Sequence, residues 1–291
     1  MMSETIQLDL PKLPSTLNLY RKALLARGHG SRLSPELPNI ELSVKRIRMD
    51  KKKVSEYATL CGYKFDGKHV PLTYLHLPAF NLHLELMVNK KFPLPVMGLV
   101  HIKNVIKTER SIQINELLDY RVFIADSRQT DKGFEFDIVT EVMSGQEHVW
   151  QSCSTLLYRN TKPVKATSKA KSHGSTYLYR QEWYLPENLG RKYAQISGDS
   201  NPIHLHSLSA RLFGFKQAIA HGMWSKAKSV ACLQPLLKTD AITVTVFFKQ
   251  PIYLPSRALL HYQADEDSIS FDVRNVQGDK LHMNGVIELN K

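Results

Sequence analysis

The stretch SGDSNPIH, residues 197–204, places a carboxylate, an amide and an imidazole within a few positions around a proline. A carboxylate and an imidazole that converge on one water form an acid–base pair, one taking a proton while the other supplies one. Such a group contributes about 10²–10⁴-fold to a rate. The plainer reading is a junction of helices. NLGRKYAQISGD (188–199) predicts a helix with Leu189, Tyr193 and Ile196 on one face. Asn201 then reads as an N-cap and Pro202 as the first residue of a helix opening SLSARLFGF. On a continuous helix Asp199 and His204 would point about 140° apart. The proline breaks that helix, so a turn can bring them together. His206, a second imidazole nearby, is set aside.

IAHGMWS (219–225) adds a third group. Gly222 stands at a predicted helix start, where backbone N–H groups lack partners and the helix dipole is positive. A glycine there lets a ligand approach the backbone. A carbonyl oxygen on that amide would be polarised, and losing such a donor costs about 3 kcal/mol of transition-state stabilisation. Taken alone, Gly222 reads as an ordinary helix-start glycine.

These groups need elements to hold them, and the chain supplies the elements twice. EYATLCGY (56–63), YLHLPAFNLHLELM (74–87) and LVHIKNVI (99–106) are echoed by KYAQISGD (192–199), AIAHGMWSKAKSV (218–230) and VFFKQPI (246–252). Tyr57 matches Tyr193, His76 matches His221, Lys103 matches Lys249 and Asp137 matches Asp272. The second copy carries extra residues just after Asp199, inside the SGDSNPIH region. In each copy an apolar helix precedes alternating strand-like segments; Met223, Ala227, Val230 and Ala231 share one helical face. The predicted strands are 96–106, 119–128, 133–144 and 148–158, then 241–254, 257–265, 268–276 and 281–289. Turn signals such as TDKG and QGDK between them suit antiparallel hairpins. The expectation is an α+β architecture built twice.

The segment YAQISGDSNPIHLHSLSARLFGFKQAIAHGM resembles the signature of the MaoC-like dehydratases and (R)-specific enoyl-CoA hydratases. The elements are an aromatic residue, Ser-Gly-Asp, Asn-Pro, His, Gly-Phe and His-Gly, in that order over about thirty residues. The two-copy layout resembles members in which two hotdog folds are fused, each a long helix wrapped by an antiparallel sheet. The resemblance implies that Asp199 and His204 hold the water added to, or lost from, a trans-2-enoyl thioester. It implies an (R)-3-hydroxyacyl product, with the Gly222 N–H on the thioester oxygen and Ser197 and Asn201 orienting the pair. No cofactor and no metal ligand set is expected. The implied partner is an acyl-CoA or acyl carrier protein thioester. The implied assembly is an internal pseudo-dimer, with a further homodimer as the alternative. Tyr63 stands where Asp199 does in the first copy, so one active site per chain is expected. The first hotdog then accommodates the acyl chain. The sequence departs from the family at LPSR (254–257), where a Pro-Gly-Asp turn is common. Lys249 and Arg257 are candidate phosphate contacts.

The expected organisation is a degenerate hotdog over 1–160, a basic linker over 161–175 and a catalytic hotdog over 176–291. TKPVKATSKAKSH (161–173) is lysine-rich with no acid and little to bury, as in a solvated linker. The 291 residues carry a formal charge of +12, with 43% hydrophobic and 23% charged residues, a composition of globular protein. The charge suits anionic partners, yet no nucleic-acid motif accompanies it. No apolar run reaches membrane-spanning length and the start does not read as a secretory signal. Three dispersed cysteines suit reduced thiols in the cytoplasm. Other activities compatible with the fold are thioester hydrolysis and non-catalytic acyl-thioester binding. The common hydrolase pattern places a carboxylate on the central helix, and residues 222–234 hold none.

Overall fold

Alternation of apolar and polar residues sets the strands, because successive side chains of a strand face opposite sides of the sheet. The first half forms β1 (Ile6–Leu10), α1 (Thr16–Leu25), β2 (Ile40–Arg48), α2 (Lys51–Cys61), α3 (His76–Met87), β3 (Leu99–Thr108), β4 (Leu117–Thr130), β5 (Gly133–Ser144) and β6 (Glu147–Tyr158). The second forms β7 (Tyr179–Leu185), α4 (Leu189–Ser197), α5 (Pro202–Leu205), α6 (Ser207–Arg211), α7 (Gly222–Leu233), β8 (Ile242–Phe248), β9 (Ser256–Ala264), β10 (Ser268–Asn275) and β11 (Leu281–Leu289). The structure is a computed structural model that describes residues 5–25, 35–159, 177 and 179–290. The basic linker expected over 161–175 lies outside the described residues.

All these strands join one sheet in the order β1-β2-β4-β5-β6-β3-β8-β11-β10-β9-β7. The sequence of β2-β4-β5-β6-β3 is repeated by β7-β9-β10-β11-β8, so the halves meet as mirror-ordered copies at the antiparallel β3–β8 pair. Only β1 lies outside the repeat, and it pairs parallel to β2. Each half wraps its strands about a buried helix, α3 or α7, giving the hotdog architecture twice. Sequence reading places the eight later strands well and leaves β1, β2 and β7 unassigned. Each of the three lies ahead of its half's central helix, where no hairpin partner adjacent in sequence marks it.

The two central helices are apolar on nearly every side because a sheet and flanking helices enclose them. In α7 even Ser225, Lys226 and Ser229 are buried. Lys226 is fully buried, and its ammonium donates to Asn104 Oδ1 at 2.6 Å and to the Val244 carbonyl at 2.9 Å. Asn104 lies on β3 and Val244 on β8, so one side chain ties α7 to both sides of the junction. Burial depresses its pKa well below the usual lysine range.

The connection between the paired helices differs between the copies. Gly62–Leu75 spans it in the first half, whereas Gly198–His221 spans it in the second and includes α5 and α6. The extra residues of the second copy therefore build two short helices over the end of α7.

Candidate active site

α4 ends at Gly198, whose φ of 77° turns the chain out of the helix. The Asn201 side chain then accepts from Ile203 N at 3.3 Å, and Pro202 opens α5. This is the N-cap and helix-start arrangement expected from the sequence. The helix expected through SLSARLFGF is broken at His206, which is extended (φ −145°, ψ 149°), so α5 and α6 are separate turns. α5 lies directly on α4, and Gly190 permits it: a Cβ there would stand 1.8 Å from the His204 carbonyl oxygen.

The break brings Asp199 and His204 together. The ligating atoms of Asp199, His204 and His221 lie within 4.8 Å of one another. Two hydrogen bonds of about 2.8 Å to one water span roughly 4.5 Å at a water's own angle, a separation of the same size. Each member is held by the atom turned away from that space. His204 Nδ1 donates to the Ile219 carbonyl at 2.7 Å, leaving Nε2 as the acceptor. The Ile219 carbonyl is fixed because Ile219 N donates to Ile203 O, and flanking residues 218 and 220 pair with 254 and 252. Asp199 Oδ1 accepts from the Tyr20 hydroxyl at 2.5 Å and from Asn201 N at 3.3 Å, leaving Oδ2 open. Ser197 Oγ accepts from Asp199 N at 3.1 Å. Ser197 thus orients the backbone of Asp199, and Asn201 reaches the carboxylate through its backbone amide.

His221 packs beneath. Its ring stacks on His204 at 3.8 Å between centroids, and its Nε2 lies 3.0 Å from the Asp199 carbonyl oxygen and 3.8 Å from Oδ2. Tyr193 covers the other side at 4.8 Å. Burial, then the adjacent His204, push His221 down to about 3. Burial also lowers His204, against the pull of Asp199, so both imidazoles are neutral near pH 7. Burial alone would raise the Asp199 carboxyl. His221, His204, the Tyr20 hydroxyl and the Asn201 amide outweigh it and hold the group below its ordinary range. Tyr20 itself is pushed far up, by burial and then by Asp199, and keeps its proton. The site is therefore an ionised carboxylate beside a neutral imidazole.

Gly222 is the first residue of α7, as expected, so its N–H has no partner within the helix. A Cβ on Gly222 would meet the Phe248 ring at 2.9 Å, so the glycine also makes room for that ring. Of the candidate phosphate contacts, Arg257 is paired with Glu182 at 2.5 Å, and Lys249 lies over the Phe247 ring at 5.1 Å.

Sequence reasoning passes over Tyr20, which sits on α1, 179 residues before its partner. It reads as one more apolar contact beside Leu19 and Ala23, and nothing local signals the distant carboxylate. Asp199, His204 and His221 also group as metal ligands do. Oδ1, His204 Nδ1 and His221 Nε2 are all engaged, and the two rings are stacked within 27° of parallel rather than converging on a point. The first copy's connection holds its own carboxylate and imidazole, Asp66 and His69. They bond directly to each other at 2.5 Å and are about half exposed, which closes the pair on itself.

Residues 168–286 match the MaoC like domain family. The 3-hydroxyacyl-thioester dehydratase X of Mycobacterium tuberculosis is 29% identical over 255 residues, covering 87% of this chain and 90% of that protein. A crystal structure of HtdX from the same organism superposes with a TM-score of 0.75 at 28% identity, over 85% of this chain and 99% of that one. A MaoC-like dehydratase from Phytophthora capsici shares the fold, with a TM-score of 0.69 at 16% identity over 86% of this chain and 95% of that one. With two wrapped helices and one joined sheet, the chain is similar to the MaoC-like dehydratases over most of its length, and its residues 168–286 carry the match to the MaoC like domain.

Proposed function

We propose that the chain catalyses the reversible hydration of trans-2-enoyl thioesters to (R)-3-hydroxyacyl thioesters, carried on coenzyme A or acyl carrier protein. The observation that carries this reading is the pair of open acceptors, Asp199 Oδ2 and His204 Nε2, each fixed from behind by a hydrogen bond to its other atom. A water held between two acceptors presents its oxygen to C3 of the enoyl group. The hydroxyl adds to C3, the pair takes up the released proton and C2 receives one from the same face. The pair is unchanged at the end. The Gly222 N–H takes the thioester oxygen, where charge grows as C3 is attacked. Tyr20, Ser197 and Asn201 position the carboxylate.

In this reading residues 1–160 form the hotdog that accommodates the acyl chain, 161–175 the linker and 176–291 the catalytic hotdog. The two act as an internal pseudo-dimer with one active site. The rival of thioester hydrolysis has no carboxylate on α7 to activate water. Among the described residues no helix is long and apolar enough to cross a membrane. The reading places the chain in the cytoplasm, in keeping with free Cys61, Cys153 and Cys232. Product analysis tests the activity. Purified protein with crotonyl-CoA is expected to give (R)-3-hydroxybutyryl-CoA; release of free coenzyme A, or an (S) product, overturns the assignment.

A further inference from the structure

The connection Gly198–His221, which carries Asp199 and His204, also carries the two most exposed large apolar side chains among the described residues. Leu208 is 76% exposed and Leu212 85%, with Phe213 beside them at 39%. Leu208 lies in α6, and Leu212 keeps helical dihedrals (φ −63°, ψ −21°) just beyond its end. One turn apart, the two leucines share a face, while Ala210 turns inward and is fully buried. A group of apolar side chains held out in water marks a place of contact. The face is tied to the site. Ser209 Oγ donates to the Pro202 carbonyl at 2.7 Å, and Pro202 opens the helix that holds His204. The first copy's shorter connection has no counterpart of α6.

The surroundings are basic. No Asp or Glu occurs between Asp199 and Asp240. Arg211 and Lys216 are exposed and Arg191 is half-buried, and none of them is ion-paired among the described residues. Backbone carbonyls hold both guanidinium groups in place: Arg211 Nε donates to Lys216 O at 3.3 Å, and Arg191 Nη1 to Leu205 O at 3.0 Å. Their other N–H groups remain for a carboxylate, which a guanidinium fork matches in geometry. These features sort the occupants. A second copy of this face would set cations against cations. Coenzyme A, a small and polar carrier, has no use for an exposed apolar platform. Anionic membranes are gripped by clusters of about four to eight lysines or arginines, more than stand here. An acidic protein surface with an apolar centre fits both the charge and the leucines.

We propose that this face docks the acidic surface of an acyl carrier protein, which delivers the thioester it bears to the adjoining site. The inference rests on the reading of that site as an enoyl-thioester hydratase and names its carrier. Leu208, Leu212 and Phe213 form the apolar centre of the contact, and Arg191, Arg211 and Lys216 its charged rim. A charged rim acts mainly on encounter, so the advantage of the carrier-bound substrate falls as salt rises.

The test compares kcat/KM of the whole protein on crotonyl-CoA and on the crotonyl thioester of the acyl carrier protein from the same source. At low salt the carrier-bound substrate is expected to be favoured about tenfold, with the advantage shrinking as salt is added. Leu212→Ser and Arg211→Glu should each abolish that advantage through KM. Their kcat, and their constants on crotonyl-CoA, should match the wild type, which also shows them folded; two variants guard against one failing to fold. If crotonyl-CoA is hydrated but the carrier-bound thioester is no better, the inference is overturned while the hydratase reading stands. An advantage that survives both variants also overturns it. So does binding to phosphatidylglycerol vesicles that both variants lose, without any carrier preference, since the face then belongs to a membrane. If neither thioester is turned over, the hydratase reading falls. Calorimetry with the carrier protein then decides the docking face: binding by the wild type and not by the variants upholds it, and no binding overturns it.

Discussion

Replacing Tyr20 with Phe removes one oxygen and retains the buried ring. The lost bond is the hydroxyl donation to Asp199 Oδ1 at 2.5 Å. A hydrogen bond to a charged acceptor contributes about 1.5–3 kcal/mol, and about 1.4 kcal/mol corresponds to one pKa unit. The donor favours the ionised carboxylate, so its loss raises the Asp199 pKa, by about 1–2 units. The acid limb of the kcat/KM profile, where the carboxylate becomes protonated, therefore moves to higher pH by that amount. Burial lowers His204 and pushes His221 down to about 3, and the shift on replacing Tyr20 is read against the wild-type profile, in which His204 is unchanged. At a pH above both limbs a residual fall in kcat is expected, because Oδ2 is no longer fixed. Small misplacements of a reacting group cost up to about 10²-fold. KM changes little, since Tyr20 bonds the carboxylate and not the substrate in this account. The assay is the loss of enoyl-thioester absorbance across pH, with circular dichroism confirming the fold. Superimposable pH profiles and equal kcat for wild type and Y20F refute the role of Tyr20.

Gly222→Ala places a Cβ 2.9 Å from the Phe248 ring. It should lower kcat/KM by about 10²-fold through displacement at the thioester position, and Phe248→Ala in the same chain should recover part of the loss. Lys226→Met keeps the volume but strands Asn104 Oδ1 and the Val244 carbonyl. A destabilisation of about 1–3 kcal/mol is expected, read from the midpoint of denaturant unfolding.

Much of this site is legible in sequence because its parts are local. Asp199, Asn201, Pro202 and His204 obey capping and turn rules within one short segment, and the proline that breaks the helix also lets the pair meet. The paired copies are legible for the same reason: hairpin strands announce themselves by alternation and turn residues. What is hidden depends on distance along the chain. Tyr20 reaches Asp199 from α1, and β2 finds β4 across two helices. The break at His206 opposes the apolar run of SLSARLF, because Ser209 Oγ bonds the Pro202 and His206 carbonyls and redirects the chain. The buried polar residues on the first hotdog's sheet are invisible as a group. Asn104, Thr140 and Ser152 each occupy an inward position of a different strand, and only the sheet brings them side by side.

The central claim is that Asp199 and His204 jointly activate one water. It is tested most directly by the rate of crotonyl-CoA hydration for wild type, Asp199→Asn and His204→Ala at neutral pH, with each variant shown to be folded. The account predicts turnover by the wild type and a fall of at least about 10²-fold in each variant. Hydration at the wild-type rate by either folded variant contradicts it.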